Sequence, residues 1–153
     1  MVSVEGVGVE AAADWDHLST PETYLGDGRS AGRVPVAPEE LPLNQWTLVG
    51  EWTTGPENIA LDEAGGSIAF RYHARDAHLV MSPGAGDPIP VRVHLDGEAP
   101  GPSHGVDVDD DGNGLLRDGR MYQLVREHEA VRERTLEIMF LESGAEAYAF
   151  TFG

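Results

Sequence analysis

The sequence predicts an all-β protein, an antiparallel β-sandwich of the jelly-roll type with an irregular N-terminal arm. Two observations support this fold class. Short segments in which apolar and polar residues alternate recur from residue 43 to the end of the chain, and turns rich in Gly and Pro separate them. No long segment has the periodicity of an amphipathic helix. Eight or nine short strands joined by turns are typical of a sandwich.

The first 42 residues are rich in Gly, Pro, Ala and acidic residues, and we interpret them as a linker-like arm. Residues 10–17 favour a short helical turn. Residues 19–21 (STP) form a cap-and-start pattern that predicts a second helical turn over residues 22–25. The sandwich domain is expected to span residues 43–153.

The alternating segments predict the strands in chain order. Ser67–His73 shows the pattern most clearly, because Ile68, Phe70 and Tyr72 would face the core while the residues between them face outward. The other predicted strands are residues 45–50, 51–54, 58–61, 77–81, 91–96, 120–126, 135–140 and 147–152.

Composition and charge exclude several classes of function. The chain has no Cys, which excludes thiolate metal sites, iron–sulfur clusters and cysteine nucleophiles of its own. The formal net charge is −17, and all ten basic residues are Arg. A surface this acidic repels nucleic-acid phosphate and anionic lipid, so we expect neither as a partner. We find no signal-peptide pattern and no run near the about 18 apolar residues of a membrane span, so the sequence leaves localisation open.

The acidic loop DVDDDG at residues 107–112 resembles the first half of a calcium-binding loop. Alternate carboxylates in such a loop converge on one ion, the glycine permits the sharp turn, and hard oxygen ligands suit Ca²⁺. The alternative is a solvated turn between strands, which is favoured because the flanking segments do not resemble the helices of an EF-hand. The predicted calcium ligands are Asp107, Asp109, Asp111 and Asp118.

Aromatic and polar residues on the predicted strands are of the types that bind sugars. Trp and Tyr rings stack on sugar faces, while Arg and His hydrogen-bond to hydroxyl groups. The alternative is that Trp46 and Tyr72 belong to the core, because they share the alternation of the core-facing residues. No G-x-S-x-G elbow is present, and we predict no catalytic residue. The candidate ligand-binding residues are Trp46, Trp52, Arg71, His73, Arg92, His94 and Tyr122.

Several motifs occur in an order known from one family. They are TPETYLG at residues 20–26, LNQW at 43–46, GEW at 50–52, FRYHARDAH at 70–78, HGVDVD and GNG within 104–114, and EAYAFTFG at 146–153. Together they resemble the C-terminal, carbohydrate-binding-module-like domain of DipZ-type thioredoxin and cytochrome c biogenesis proteins. The resemblance covers residues 14–153 and implies a jelly-roll sandwich that follows a thioredoxin-like domain.

This resemblance implies a non-catalytic accessory module whose partner is a thioredoxin-like domain or protein, or a carbohydrate. The Cys-x-x-Cys of a thioredoxin domain is absent from this sequence, so redox chemistry is expected to belong to another domain, with no cofactor here unless the acidic loop binds calcium. Full-length relatives imply an extracytoplasmic site. The alternatives are a structural or oligomerisation domain, or a glycoside-acting hydrolase.

Overall fold

The computed structural model describes residues 12–153 and shows eleven β-strands and two short 3-10 helices there. None of the described helices is long and apolar enough to cross a membrane. The strands are β1 (Thr23–Tyr24), β2 (Trp46–Val49), β3 (Trp52–Thr54), β4 (Ile59–Leu61), β5 (Ser67–His73), β6 (Asp76–Ser82), β7 (Ile89–Leu95), β8 (Asn113–Leu116), β9 (Arg120–Arg126), β10 (Glu133–Phe140) and β11 (Glu146–Phe152), and the 3-10 helices are Pro38–Glu40 and Gly101–Ser103.

The strands form two antiparallel sheets. Sheet A has the order β3-β4-β11-β6-β9, and β1 also pairs with β11. Sheet B has the order β2-β5-β10-β7-β8. Strands distant in the sequence therefore lie side by side, as in β11 with β6 and β10 with β5. The predicted all-β jelly-roll sandwich is confirmed.

The core lies between the inner faces of the two sheets. Phe70 of sheet B packs on Phe150 of sheet A with ring centroids 5.1 Å apart, and neither ring is exposed. Leu79 and Met81 of β6 and Ile138 of β10 are likewise fully buried. Each such side chain contributes roughly 1.5–3 kcal/mol of transfer free energy, so the alternating apolar residues hold the two sheets together.

Residues 22–25 do not form the predicted helical turn. Thr23 and Tyr24 pair with Phe150 and Ala149 of β11, and the N–H of Leu25 donates to the carbonyl of Tyr148 at 2.9 Å. This long-range pairing overrides the local helix-start pattern, because it also buries Leu25 to 1 % exposure. The arm from Thr20 onward is thus packed against the sandwich.

The turn predicted over residues 10–17 is present in part. The N–H of His17 donates to the carbonyl of Asp14 at 3.1 Å, which closes a turn at residues 15–17. The section of that prediction before residue 12 lies outside the described residues.

Candidate binding site

The outer face of sheet A carries an open cavity of about 530 Å³. Val80 of β6 pairs with Ala149 of β11 on one side and with Met121 of β9 on the other, so these three side chains lie next to one another across the sheet. They face outward because Leu79 and Met81, their alternating neighbours, face the core. The result is an apolar floor on the solvent side of the sandwich.

Two tyrosines line this cavity. Tyr24 belongs to β1 and Tyr148 to β11, and the pairing of these strands brings them to one place. Both side chains are half-buried. We name the cavity the tyrosine groove and define it by Glu22, Tyr24, Arg29, Glu57, Val80, Met121, Tyr148, Ala149 and Thr151.

A pair of packed turns places the charged residues of the groove. The N–H groups of Asp27 and Gly28 donate to the carbonyls of Gly55 and Pro56 at 2.9 and 3.0 Å. Gly26 is required at this contact, since a Cβ there would collide with the backbone of Glu57. This packing brings Arg29 and Glu57 to the same rim.

Arg29 covers one face of an aromatic ring in the groove. Its guanidinium carbon lies 3.7 Å from the centroid of the Tyr24 ring, within the range of a cation–π contact. The Arg29 side chain is exposed, so it can move aside without losing a buried contact. A ligand therefore has access to the Tyr24 ring.

The pKa of both phenols in the groove lies above its ordinary value, so both are neutral at neutral pH. A hydrogen bond to Glu22 and the negative charge of that residue raise the pKa of Tyr24. Burial and then the charge of Glu146 raise the pKa of Tyr148, whose hydroxyl donates to Glu146 Oε1 at 3.4 Å. The groove thus offers two neutral phenols, with carboxylates in excess over the single guanidinium of Arg29.

The two predicted stacking residues that lie in strands β2 and β9 are core residues. Trp46 is fully buried, and its indole Nε1 donates to the carbonyl of Ala31 at 2.8 Å. Tyr122 is 2 % exposed, and its hydroxyl donates to the carbonyl of Asp118 at 2.7 Å. Protein covers both rings, so the prediction that they stack on a ligand is wrong; the core alternative given for Trp46 holds, and Tyr122 is a core residue as well.

Trp52, the third aromatic residue of the predicted set, is half-buried in β3. Its ring meets Phe140 edge-on at a centroid distance of 5.8 Å, and its Nε1 donates to the carbonyl of Val49 at 3.0 Å. It packs against the core and does not line the tyrosine groove.

The four predicted Arg and His residues lie on sheet B, the sheet opposite the groove. Arg71 and His73 are in β5, whereas Arg92 and His94 are in β7, and β10 separates the two strands. The two Arg-His pairs therefore do not lie on neighbouring strands. Polar contacts already engage three of them: Arg71 donates to Glu133 at 3.0 Å, His73 Nδ1 lies 2.9 Å from the carbonyl of His17, and Arg92 donates to Asn113 at 3.2 Å.

The four predicted calcium ligands do not converge on one point in the structure. Asp107 points to β9, where its carboxylate accepts hydrogen bonds from Arg120 at 2.8 and 3.2 Å and from the N–H of Gln123 at 2.7 Å. Asp109 and Asp111 are exposed and form, with Asp110, a group whose ligand atoms lie within 4.8 Å of one another. Asp107 and Asp118 do not belong to that group.

Asp109 also organises the acidic loop. Its Oδ1 accepts the N–H groups of Asp111 and Asn113 at 3.0 and 2.9 Å. Gly112 provides the sharp turn with a φ of 89°, a region that glycine adopts without strain. A side chain of the loop itself, that of Asp109, therefore stabilises the conformation of the loop.

Comparison with known proteins identifies the family. A family model described as "Thioredoxin like C-terminal domain" matches residues 20–153. The chain belongs to this family. The predicted resemblance to thioredoxin-associated C-terminal domains is thereby confirmed. A search of curated proteins finds no match.

A solved structure shares the fold of this thioredoxin-like C-terminal domain. It is an active site mutant of a family two carbohydrate esterase from Clostridium thermocellum in complex with celluohexase. The TM-score is 0.50 at 11 % sequence identity, and the match covers 71 % of this chain and 31 % of that chain. The likeness shows the fold, and this domain corresponds to about a third of the esterase chain.

The sequence interpretation missed the tyrosine groove. Tyr24 and Tyr148 lie in the first and last of the motifs that carry the family resemblance, TPETYLG and EAYAFTFG. The pairing of β1 with β11 is what unites them. The signal is that a tyrosine stands two residues after a glutamate in both terminal motifs.

Proposed function

We propose that this domain is a non-catalytic carbohydrate-binding module of a thioredoxin-type system and that it binds sugar in the tyrosine groove. The observation that carries the proposal is the arrangement of Tyr24 and Tyr148 over an apolar floor, in an open groove with polar residues at its rim. Apolar sugar faces pack on aromatic rings, and sugar hydroxyls exchange hydrogen bonds with carboxylates and guanidinium groups.

The charges of the groove favour a neutral sugar over an acidic one. Glu22 and Glu57 line the groove with one cation, Arg29, and the whole chain carries a net charge of −17. A uronic acid would meet this negative potential, whereas a neutral hexose would not. The ligand of the esterase complex, celluohexase, gives a reason to use a neutral glucan as the first probe.

Isothermal titration with cellohexaose tests the proposal. Tyr24→Ala and Tyr148→Ala should each weaken binding about tenfold, equivalent to about 1.4 kcal/mol, because each removes a stacking face. Tyr24→Phe should bind nearly as well as the wild type, since the ring is kept. Trp15→Ala is the matched control, because Trp15 is 77 % exposed and lies outside the groove.

Two outcomes would overturn the proposal. One is the absence of binding to cellohexaose and to the other neutral oligosaccharides of a panel. The other is binding that both tyrosine variants leave unchanged. Because the proposal includes no chemical step, oligosaccharides recovered after incubation should be intact, and the release of shorter sugars would favour the glycoside-acting alternative.

Docking of a thioredoxin-like domain is the second candidate function, and the exposure of Trp15 favours it. This side chain is 77 % exposed, whereas tryptophan is highly buried on average and is enriched at protein interfaces. Titration with a thioredoxin-like domain of the same family architecture should shift Trp15 fluorescence, and Trp15→Phe should abolish the shift. An unchanged spectrum at saturating concentration would count against docking at this point. The extracytoplasmic location implied by the resemblance stays a prediction.

A further inference from the structure

A second cavity, of about 350 Å³, lies on sheet A at the ends of β6 and β9. Three histidines line it: His78 from β6, and His104 and His128 from the chain segments beside β9. Gln123 and Arg126 of β9 and the adjacent Glu127 add further polar side chains. We name it the histidine pocket and define it by these six residues.

The histidine pocket continues the tyrosine groove along the same strands. On β6, His78 lines the pocket and Val80 the groove; on β9, Gln123 lines the pocket and Met121 the groove. Each pair is two residues apart, so both members face the same side of the sheet at a spacing of about 7 Å. His78 Nδ1 also lies 3.3 Å from Oγ1 of Thr151, which lines the groove.

The amide nitrogen of Gln123 lacks a hydrogen-bond partner at this position. The residue is 4 % exposed, and its Nε2 is the one buried side-chain nitrogen or oxygen atom without a partner in residues 12–153. Its backbone is held in place, because its N–H donates to Asp107 Oδ2 at 2.7 Å and its carbonyl accepts the N–H of Asp107 at 3.2 Å. Buried polar groups are almost always paired, so this amide points to an acceptor supplied by a ligand.

The charged groups around the histidine pocket are already paired within the protein. Arg126 donates to both carboxylate oxygens of Asp76, at 2.9 and 3.1 Å. Glu127 accepts hydrogen bonds from Ser103 at 2.8 Å and Arg134 at 2.7 Å. These two charges are therefore balanced, and the pocket is suited to a neutral polar group rather than to an anion.

We propose that the histidine pocket is a second subsite for the carbohydrate of the tyrosine groove, so that the ligand is an extended, neutral oligosaccharide chain. The oligosaccharide lies along the outward face of β11, β6 and β9 and occupies both cavities. The Gln123 amide, which can rotate to exchange its nitrogen and oxygen, donates to a hydroxyl oxygen of the sugar that occupies the pocket. This inference rests on the proposed function, since it extends the same binding surface.

The length of the oligosaccharide is varied to test this inference. Isothermal titration with cellobiose and with cellohexaose compares a ligand that fills one cavity with a ligand that reaches both. The wild type should bind cellohexaose at least about tenfold more tightly than cellobiose. Gln123→Leu should abolish most of this difference and leave cellobiose affinity unchanged, because it removes the amide and keeps a side chain of similar volume.

A second variant, His128→Ala, tests the same subsite in case Gln123→Leu does not fold. His128 is exposed, and its contact with Ser103 uses the backbone N–H, so His128→Ala keeps that hydrogen bond. It should also lower cellohexaose affinity selectively. Tyr24→Ala, in contrast, should weaken both ligands.

The possible failures are distinguishable. Equal affinity of the wild type for the two sugars, or a length preference that Gln123→Leu and His128→Ala both leave intact, would overturn the second subsite while the groove stands. A lack of binding to either sugar would overturn the proposed function and, with it, this inference.

Discussion

Asp107 ties the acidic loop to strand β9, and its removal should be strongly destabilising. Arg120 donates to Oδ1 at 2.8 Å and to Oδ2 at 3.2 Å, and the N–H of Gln123 donates to Oδ2 at 2.7 Å. The side chains of Asp107 and Arg120 are only 6 % and 15 % exposed. Asp107→Ala therefore leaves a largely buried guanidinium without its counter-charge and a backbone N–H without an acceptor.

The magnitude follows from the burial of the pair. Removing one partner of a buried ion pair costs about 3–5 kcal/mol, and the residual exposure of Arg120 places the expected loss near the lower end, at about 3 kcal/mol. In a domain of about 150 residues each kcal/mol lowers the melting temperature by roughly 2–4 °C, so the midpoint should fall by roughly 6–12 °C.

Thermal unfolding followed by circular dichroism measures this loss, with Asp110→Ala as the control. Asp110 is an exposed residue of the same loop, and its removal should change stability by less than about 0.5 kcal/mol. A midpoint of Asp107→Ala within about 2 °C of the wild type would refute the reasoning. A loss seen in calcium but not in chelator would instead make Asp107 a metal ligand.

Three further predictions concern the acidic loop and the buried acid Glu127. Asp109→Ala removes the acceptor of two backbone N–H groups and should lower the free energy of unfolding by about 1–2 kcal/mol. Asp109→Asn keeps an acceptor oxygen and should retain most of this stability. Equal melting midpoints of the two variants would contradict the prediction. The calcium prediction now concerns the exposed acids: a calcium ion bound there would make the wild type melt higher in calcium than in chelator, and Asp111→Asn would lose that gain, whereas equal melting of the wild type rules the site out. Burial alone would raise the pKa of Glu127, but the hydrogen bond from Ser103 and the charge of Arg134 outweigh it and lower the pKa. The stabilisation by this carboxylate is therefore present above its unfolded pKa of about 4.3 and is lost as pH falls through the lower folded pKa. Glu127→Gln should make the melting temperature fall less steeply toward acid pH than it does in the wild type. Parallel profiles of melting temperature against pH for the two proteins would contradict the lowered pKa.

Nine of the eleven described strands could be predicted because the alternation that produces them is local, whereas β8 (Asn113–Leu116) lacks this alternation and is not among the predicted strands. Ser67–His73 and Arg120–Arg126 have the same bounds in the sequence interpretation and in the structure. Strand β1 could not be predicted, since Thr23–Tyr24 is only two residues long and is held by pairing with β11. Its local sequence carries a helix-start pattern that the distant partner overrides.

The candidate site required strand order and register, which alternation does not reveal. Trp46 and Tyr122 are of the residue types that stack on sugars, but both lie in the core, as alternation already indicates for Trp46. Tyr24 and Tyr148 lie near opposite ends of the sequence and meet only through one strand pairing. Likewise, the spacing of the acidic loop matched a calcium motif, while the partner that engages Asp107 lies across the loop on β9.

Carbohydrate binding on the outward face of sheet A is tested most directly by a nuclear magnetic resonance titration with cellohexaose. Backbone amide shifts should concentrate on β1, β6, β9 and β11, around Tyr24, Val80, Met121 and Tyr148. Shifts concentrated instead on sheet B, around Arg71 and Arg92, would contradict the claim and restore the site that residue types alone had indicated.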